Sequence, residues 1–186
     1  MTLGKRALIV VDVQNDFLPG GALAVPQGDL IVPAINDLMK QDFAAVIASR
    51  DWHPAHHCSF LPDGGLWPVH CVAGTRGADF APSLDQSHLS HIVHKGMDRH
   101  CDSYSAFFDN DHVSSTGLDA LLRGLGVERI TLCGLALDFC VSATARDARR
   151  LGFETTLIEA ACRGIAQNPS PALDELRGAG VHIEPL

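Results

Sequence analysis

Residues 130–150 read ITLCGLALDFCVSATARDARR. Ile130 to Cys133 form a β-branched and apolar run, which breaks at Gly134. A helical pattern follows from Asp138 or Phe139 to Leu151, with Val141, Ala145, Ala148 and Leu151 on one side. A strand, a tight crossing and a helix in this order make one unit of an alternating α/β fold. Cys140 sits where the helical phase begins. Free N–H groups and the helix-end field favour a thiolate at such a place. A small buried hydrophobe suits the same position, and on this stretch alone both readings stand.

Working outward, ALIVVDV (7–13) is an unalternated apolar run, as expected of a strand buried on both faces in a parallel sheet. AAVIA (44–48) is a second strand, and 91–94, 127–133, 153–158 and 181–183 complete the set. Helical spacing marks 29–40 through Ile31, Ile35, Leu38 and Met39, and 117–125 through its leucines, with Thr116 near the cap. Ser170 and Pro171 open a last helix that Gly180 ends. Residues 161–169 read as a loop. The long polar stretch from 55 to 90 has only weak helical signals, and loops of that length in compact domains are usually functional. There is no repeat, linker or low-complexity tail. The expectation is a three-layer α/β/α fold with a central, mostly parallel sheet. It forms a single domain over 1–186, with a metal-binding loop region at about 51–90.

Composition narrows the function. The 186 residues suffice for one sizeable core, and 46% hydrophobic with 19% charged residues is ordinary for a globular protein. A formal net charge of −8 and the lack of a Lys/Arg run argue against nucleic acid as a partner. No apolar stretch reaches the roughly 18–20 residues of a membrane span. The six cysteines come without a secretory signal, so reduced thiols and a cytoplasmic location are expected. Most of the ten histidines fall between His53 and His112. Pro19-Gly20-Gly21 lacks the spacing of a phosphate-binding loop.

Three polar residues stand at strand ends: Asp12, Lys95 and Cys140. Parallel strands bring their C-terminal ends to one edge, where ligand chemistry gathers. A cysteine supplies a nucleophile, a carboxylate a proton carrier, and a lysine a charge that keeps the carboxylate ionised and favours the thiolate. Taken singly, Asp12 suits a loop cap and Lys95 a surface position. Asp51, His53, His57 and His70 form a second group, suited to a divalent transition metal. Spacing alone does not choose His57 over His56.

Seven segments carry a resemblance that spans nearly the whole chain. They are VVDVQNDFLPGGALAV (10–25), SRDWHP (49–54), HCSF (57–60), WPVHCVAGTRGADF (67–80), HKG (94–96), DSYSAF (102–107) and GLALDFCVSATARDA (134–148). In these the chain resembles the bacterial nicotinamidases, pyrazinamidase-type members of the isochorismatase-like cysteine hydrolase superfamily. The resemblance implies a catalytic triad of Asp12, Lys95 and Cys140. It implies metal ligands Asp51, His53 and His70, with His57 a ligand either directly or through water. The metal would be zinc, iron or manganese. The resemblance further implies an oxyanion hole from the N–H groups of Ala136 and Cys140, a cis Leu135–Ala136 bond, and an aromatic slot from Phe17, Trp67, Tyr104 and Phe139. Where some relatives carry His before the nucleophile, this chain has Phe139.

The implied activity is hydrolysis of nicotinamide to nicotinate and ammonia through a thioester, with pyrazinamide also accepted, a part in NAD salvage, and a homo-oligomeric state. An amidohydrolase of the same superfamily acting on a carbamoyl or ureido substrate is the nearest rival, and a metal group that suits a pyridine ring counts against it. Isochorismatase itself uses no cysteine nucleophile. A non-enzymatic binding scaffold leaves the three strand-end polar groups unexplained.

Overall fold

A computed structural model describes residues 4–185; residues 1–3 and 186, the extremes of the expected domain, lie outside the described residues. The strands are β1 (Lys5–Val11), β2 (Ala45–Asp51), β3 (His91–Lys95), β4 (Val127–Leu135), β5 (Glu154–Arg163) and β6 (His182–Glu184). The helices are α1 (Val32–Met39), α2 (Leu118–Gly124), α3 (Ser142–Arg150) and α4 (Ser170–Gly178). One sheet runs β3-β2-β1-β4-β5-β6, and every strand pair in it is parallel.

The apolar runs are unalternated because both faces of the sheet are covered. Ala7, Ile9 and Val11 of β1 point to one side, against Leu118, Leu122, Ala145, Ala148, Leu173 and Leu176 from α2, α3 and α4. Leu8 and Val10 point to the other side, against Ile31, Val32, Ile35, Leu38 and Met39 around α1. Each such aliphatic side chain contributes about 1.5–3 kcal/mol on burial, so the two-sided core fixes the central strands firmly. Among the described residues no helix is long and apolar enough to cross a membrane.

The strand order reverses direction between β1 and β4, which places a crevice beyond their C-terminal ends. The registers align those ends. Val11 pairs with Ser49 of β2 and with Gly134 of β4, and Asp51 pairs with Lys95 of β3.

Four local features depart from the sequence expectations. β5 continues to Arg163, where a loop from Ala161 was expected, because β4 pairs with it through Gly134–Cys162 and Leu135–Arg163 after a register shift. The helix expected from Asp138 begins as a π-helical turn, Leu137–Val141, before α3. Ser142 donates to the carbonyl of Leu137, and Thr144 to that of Cys140, competing with the regular ladder. Ser170, expected as the cap, is already the first residue of α4, with Pro169 at the cap position, and its N–H donates to the Asn168 side chain at 3.0 Å. Residues 55–90 hold three short 3₁₀ turns, Leu61–Asp63, Arg76–Ala78 and Gln86–His88. Thr116 does lie at the start of α2, its hydroxyl accepting the Leu118 N–H at 3.2 Å.

Gly134 is where β4 must turn while staying against β1. Its φ is +121°, and a Cβ there would sit 2.2 Å from the Val11 carbonyl oxygen. Gly134→Ala is therefore expected to cost about 3 kcal/mol or more, read as a fall in thermal or denaturant midpoint. A midpoint equal to that of the unaltered protein would show that the crossing tolerates a side chain.

Candidate active site

The crevice is organised by Lys95, whose side chain is fully buried. β3 ends at this residue and points its ammonium under the ends of β1 and β2. Nζ lies 2.9 Å from Asp12 Oδ2, bonds Asp51 Oδ1, and donates to the Ser103 carbonyl at 2.9 Å. Its fourth neighbour is Cys140 Sγ at 3.5 Å. Asp12 follows the last residue of β1 with φ +49°, a conformation uncommon for a residue with a Cβ. It is held by its N–H on the Ser49 carbonyl at 3.1 Å and by the Ser49 hydroxyl on Oδ1 at 2.7 Å. Cys140 comes from the π turn after β4. The three strand-end residues therefore meet as their topological positions suggested.

Burial sets the charge states. It would discharge Lys95, but the facing carboxylates of Asp12 and Asp51 hold its pKa well above the ordinary value. Burial would likewise raise Asp51, yet Lys95 and His53 pull it down, so it stays ionised. For Asp12 burial wins over Lys95, and its pKa is raised. Burial also pushes the Cys140 thiol well up, with Lys95 offsetting only part of the rise and Asp12 adding to it. Here the structure departs from the thiolate expected at a helix start. One ammonium already serves two carboxylates, and a third anion beside it is unfavourable. Cys140 rests as a thiol next to a carboxylate of raised basicity.

Asp51 turns its second oxygen away from Lys95 toward two imidazoles. Asp51 Oδ2 lies 3.4 Å from His53 Nε2 and 3.9 Å from His70 Nε2. The opposite ring nitrogens are tied down, His53 Nδ1 to the Gly96 carbonyl at 2.8 Å and His70 Nδ1 to the Pro68 carbonyl at 2.7 Å. Carbonyls accept only, so both Nδ1 atoms carry protons and both Nε2 atoms present lone pairs when the rings are neutral. His53 Nε2 is buried with no hydrogen-bond partner. Two oriented imidazoles, one with an orphaned nitrogen, and a carboxylate fit a divalent metal, and the 3.4 Å between Asp51 Oδ2 and His53 Nε2 matches two bonds of about 2.0–2.1 Å. Gly96 is required here, since a Cβ would meet the His53 ring at 2.4 Å.

His57 stands apart from this trio. Its ring stacks on His53 with centroids 4.1 Å apart. The Ser59 N–H donates to Nδ1, which leaves the proton on Nε2, facing the Cys101 carbonyl at 3.1 Å. Both ring nitrogens are engaged within the protein. His56, the alternative at this spacing, lies on the surface with its side chain 70% exposed and faces Asp63.

Above these groups opens a cavity with about 410 Å³ of empty space, lined among others by Asp51, His70, Ala136, Cys140 and all four expected aromatics. Trp67 and Phe139 meet edge to face at 5.0 Å, and the Trp67 indole donates to the Tyr104 hydroxyl at 3.2 Å. Phe17 tilts against His70. The Leu135–Ala136 bond is cis. Aromatic side chains make up much of the cavity wall.

The isochorismatase domain matches residues 6–183. The chain belongs to the isochorismatase family. Among family members, it is 41% identical to the nicotinamidase of Escherichia coli (strain K12), across 97% of this chain and 95% of that one. Its fold superposes on the crystal structure of PnC1 from L. infantum in complex with nicotinate with TM-score 0.94 and 41% identity, covering 97% of this chain and 92% of that one. The pyrazinamidase of Pyrococcus horikoshii in complex with zinc gives TM-score 0.88 and 42% identity, covering 98% and 99%.

Sequence reasoning passed over several residues that shape this family site. Leu23, Val25, Asp102, Ser103 and Ile165 line the cavity. Gln14 clamps β2, accepting the Asp51 N–H and donating to the Asp51 and Ala78 carbonyls at 2.8 and 2.9 Å. A buried glutamine beside Asp12 was the one available signal for that clamp.

A resting thiol has a kinetic signature. Alkylation of Cys140 by iodoacetamide, quantified on its own peptide, is expected to rise about tenfold per pH unit through neutrality, following the growing thiolate fraction. A rate flat across that range would mean that the thiolate is already formed.

Proposed function

We propose that this protein is a metal-dependent cysteine amidohydrolase that converts nicotinamide and water to nicotinate and ammonia. The observation that carries the reading is the joint wall of one cavity. Cys140, 3.5 Å from the Lys95 ammonium that also holds Asp12, lines it together with Asp51 and His70, two members of the Asp51–His53–His70 donor set. Nicotinamide has both matching ends, a pyridine nitrogen for a metal and an amide carbon for a thiol. Asp12, Lys95 and Cys140 form the catalytic triad in this reading, and Phe17, Trp67, Tyr104 and Phe139 sandwich the ring. The chain works as one unit, with the loop region at about 51–90 holding the metal.

Asp51, His53 and His70 would hold a divalent transition ion, which would supply a Lewis-acidic point for a ring nitrogen and so orient the amide. Zinc, iron and manganese all accept this donor set, and zinc is the ion in the P. horikoshii relative. His57 supports His53 by stacking.

The covalent steps belong to the chain. Asp12 takes the Sγ proton as the sulfur adds to the amide carbon, so the thiolate exists only as it attacks. The carbonyl oxygen becomes an oxyanion and meets the N–H groups of Ala136 and Cys140, donors worth a few kcal/mol each. Protonated Asp12 passes its proton to the amide nitrogen, the C–N bond breaks, and ammonia leaves a thioester on Cys140. A water then gives a proton to Asp12 and its oxygen to the acyl carbon. Nicotinate departs, and the sulfur recovers the proton. Lys95 stays charged throughout and stabilises whichever anion is present. Pyrazinamide offers the same amide beside a ring nitrogen and fits the same slot. The six free cysteines support a reducing, cytoplasmic setting, and a homo-oligomer is part of this reading.

The direct test is ammonia release from nicotinamide with and without a chelator. Turnover by metal-replete protein and its loss on chelation are expected. No release would favour a carbamoyl or ureido substrate instead. Cys140→Ala should lower turnover by about three orders of magnitude or more while circular dichroism and metal content hold, and substantial residual activity would move the nucleophile elsewhere. His53→Ala should lose metal and activity together, with metal read by elemental analysis; full metal content would remove it from the ligand set.

A further inference from the structure

The loop after β3 carries a carboxylate that the steps above do not use. Asp102 lines the same cavity as Asp51, His70 and Cys140. One ligand-type atom each of Asp102, His53 and His57 lies within 4.8 Å of the other two. His53 is shared with the Asp51–His53–His70 trio, and its single free nitrogen is the orphaned Nε2. His57 offers no lone pair there, because its Nε2 proton faces the Cys101 carbonyl. Asp102 is thus the remaining acceptor on that flank of the donor set.

Its placement favours contact through a water. The compact trio that meets one ion does not extend to Asp102. Asp102 Oδ1 is already engaged, accepting the Ser103 N–H at 2.8 Å. A bent chain of nitrogen, ion, water oxygen and carboxylate oxygen, with steps of about 2.1, 2.1 and 2.7 Å, spans the gap to His53.

We propose that Asp102 is a positioning residue for the metal site, its carboxylate accepting a hydrogen bond from a water bound to the ion that Asp51, His53 and His70 hold. The anion fixes that water on the cavity side of the ion and adds a negative charge that tightens ion binding. Acceptors of this outer kind are typically worth a factor of about 10–100 in metal affinity. The inference rests on the metal site proposed above, and its test needs no turnover.

Zinc affinity is measured by chelator competition for the unaltered protein, Asp102→Asn, Asp102→Ala and His53→Ala. Cobalt(II) spectra are recorded for the same set. Asparagine keeps an oxygen for the Ser103 N–H but loses the charge, so it separates the electrostatic role from the loop bond. Asp102→Asn is expected to bind zinc about 10–100-fold more weakly, with the cobalt band positions and intensities retained. Unaltered affinity in Asp102→Asn, even with a weakened Asp102→Ala, would overturn the proposal by reducing Asp102 to a loop brace. A changed cobalt coordination spectrum in Asp102→Asn would overturn it by making Asp102 a direct ligand. If His53→Ala binds zinc like the unaltered protein, the metal site itself fails, a result distinct from failure at Asp102 alone.

Discussion

Everything at the open edge of the sheet depends on one buried ammonium. A lysine with no solvent is tolerated only where anions surround it closely, and truncating one partner of such a group commonly costs about 3–5 kcal/mol. Here the anions are Asp12 beyond β1 and Asp51 at the end of β2, and the lysine ends β3. Three strands must therefore finish at the same level. The in-register pairs Val11–Ser49 and Asp51–Lys95 deliver that alignment. The ion cluster and the register specify each other: a slip of one residue would turn Lys95 to the wrong face and strand a charge in the core.

The same ammonium divides the site into two halves with opposite electrostatic needs. Toward Asp12 and Cys140, burial outweighs what the single cation offsets, so the thiol keeps its proton beside a carboxylate of raised basicity that can take it. Toward Asp51 the anion is pinned by Lys95 through one oxygen and presents the other to two imidazoles whose Nδ1 protons are fixed by backbone carbonyls. Asp51 is thereby shared between the two halves. An ion in the donor set would draw on the same carboxylate that restrains Lys95, so the charge at the nucleophile and the charge at the ring-binding end are linked through one side chain.

Most of the architecture was legible because burial on both faces of a parallel sheet writes itself as unalternated apolar runs separated by helical periods. The strand ends were less so. Residues 159–163 read EAACR, which carries no β-branched signal, and that strand persists to Arg163 because β4 offers it partners. The π turn at Leu137–Val141 hides inside a helical period that it shifts by only one residue. At the site, Asp12, Lys95 and Cys140 were legible as strand-end polar groups, and Asp51, His53, His57 and His70 as one donor group by residue type, with the choice among them implied only by the family resemblance. Which atom each residue presents was not. That depends on partners far away in sequence, such as Pro68 behind His70, Gly96 behind His53, and Ser59 and Cys101 around His57.

His57 illustrates why a motif specifies residues before it specifies roles. Sequence placed it among the metal donors, and in space it does stack on one. Its neighbours decide the rest: an N–H from Ser59 can only donate, so the ring must carry its proton on the far nitrogen, where a carbonyl receives it. To bind an ion directly through Nε2 the ring would have to move that proton to Nδ1, where the Ser59 hydroxyl lies at 2.7 Å, and abandon the Cys101 carbonyl. Its neutral, stacked state keeps a second cation away from His53. The division of labour between two adjacent imidazoles thus comes down to which backbone group each one meets.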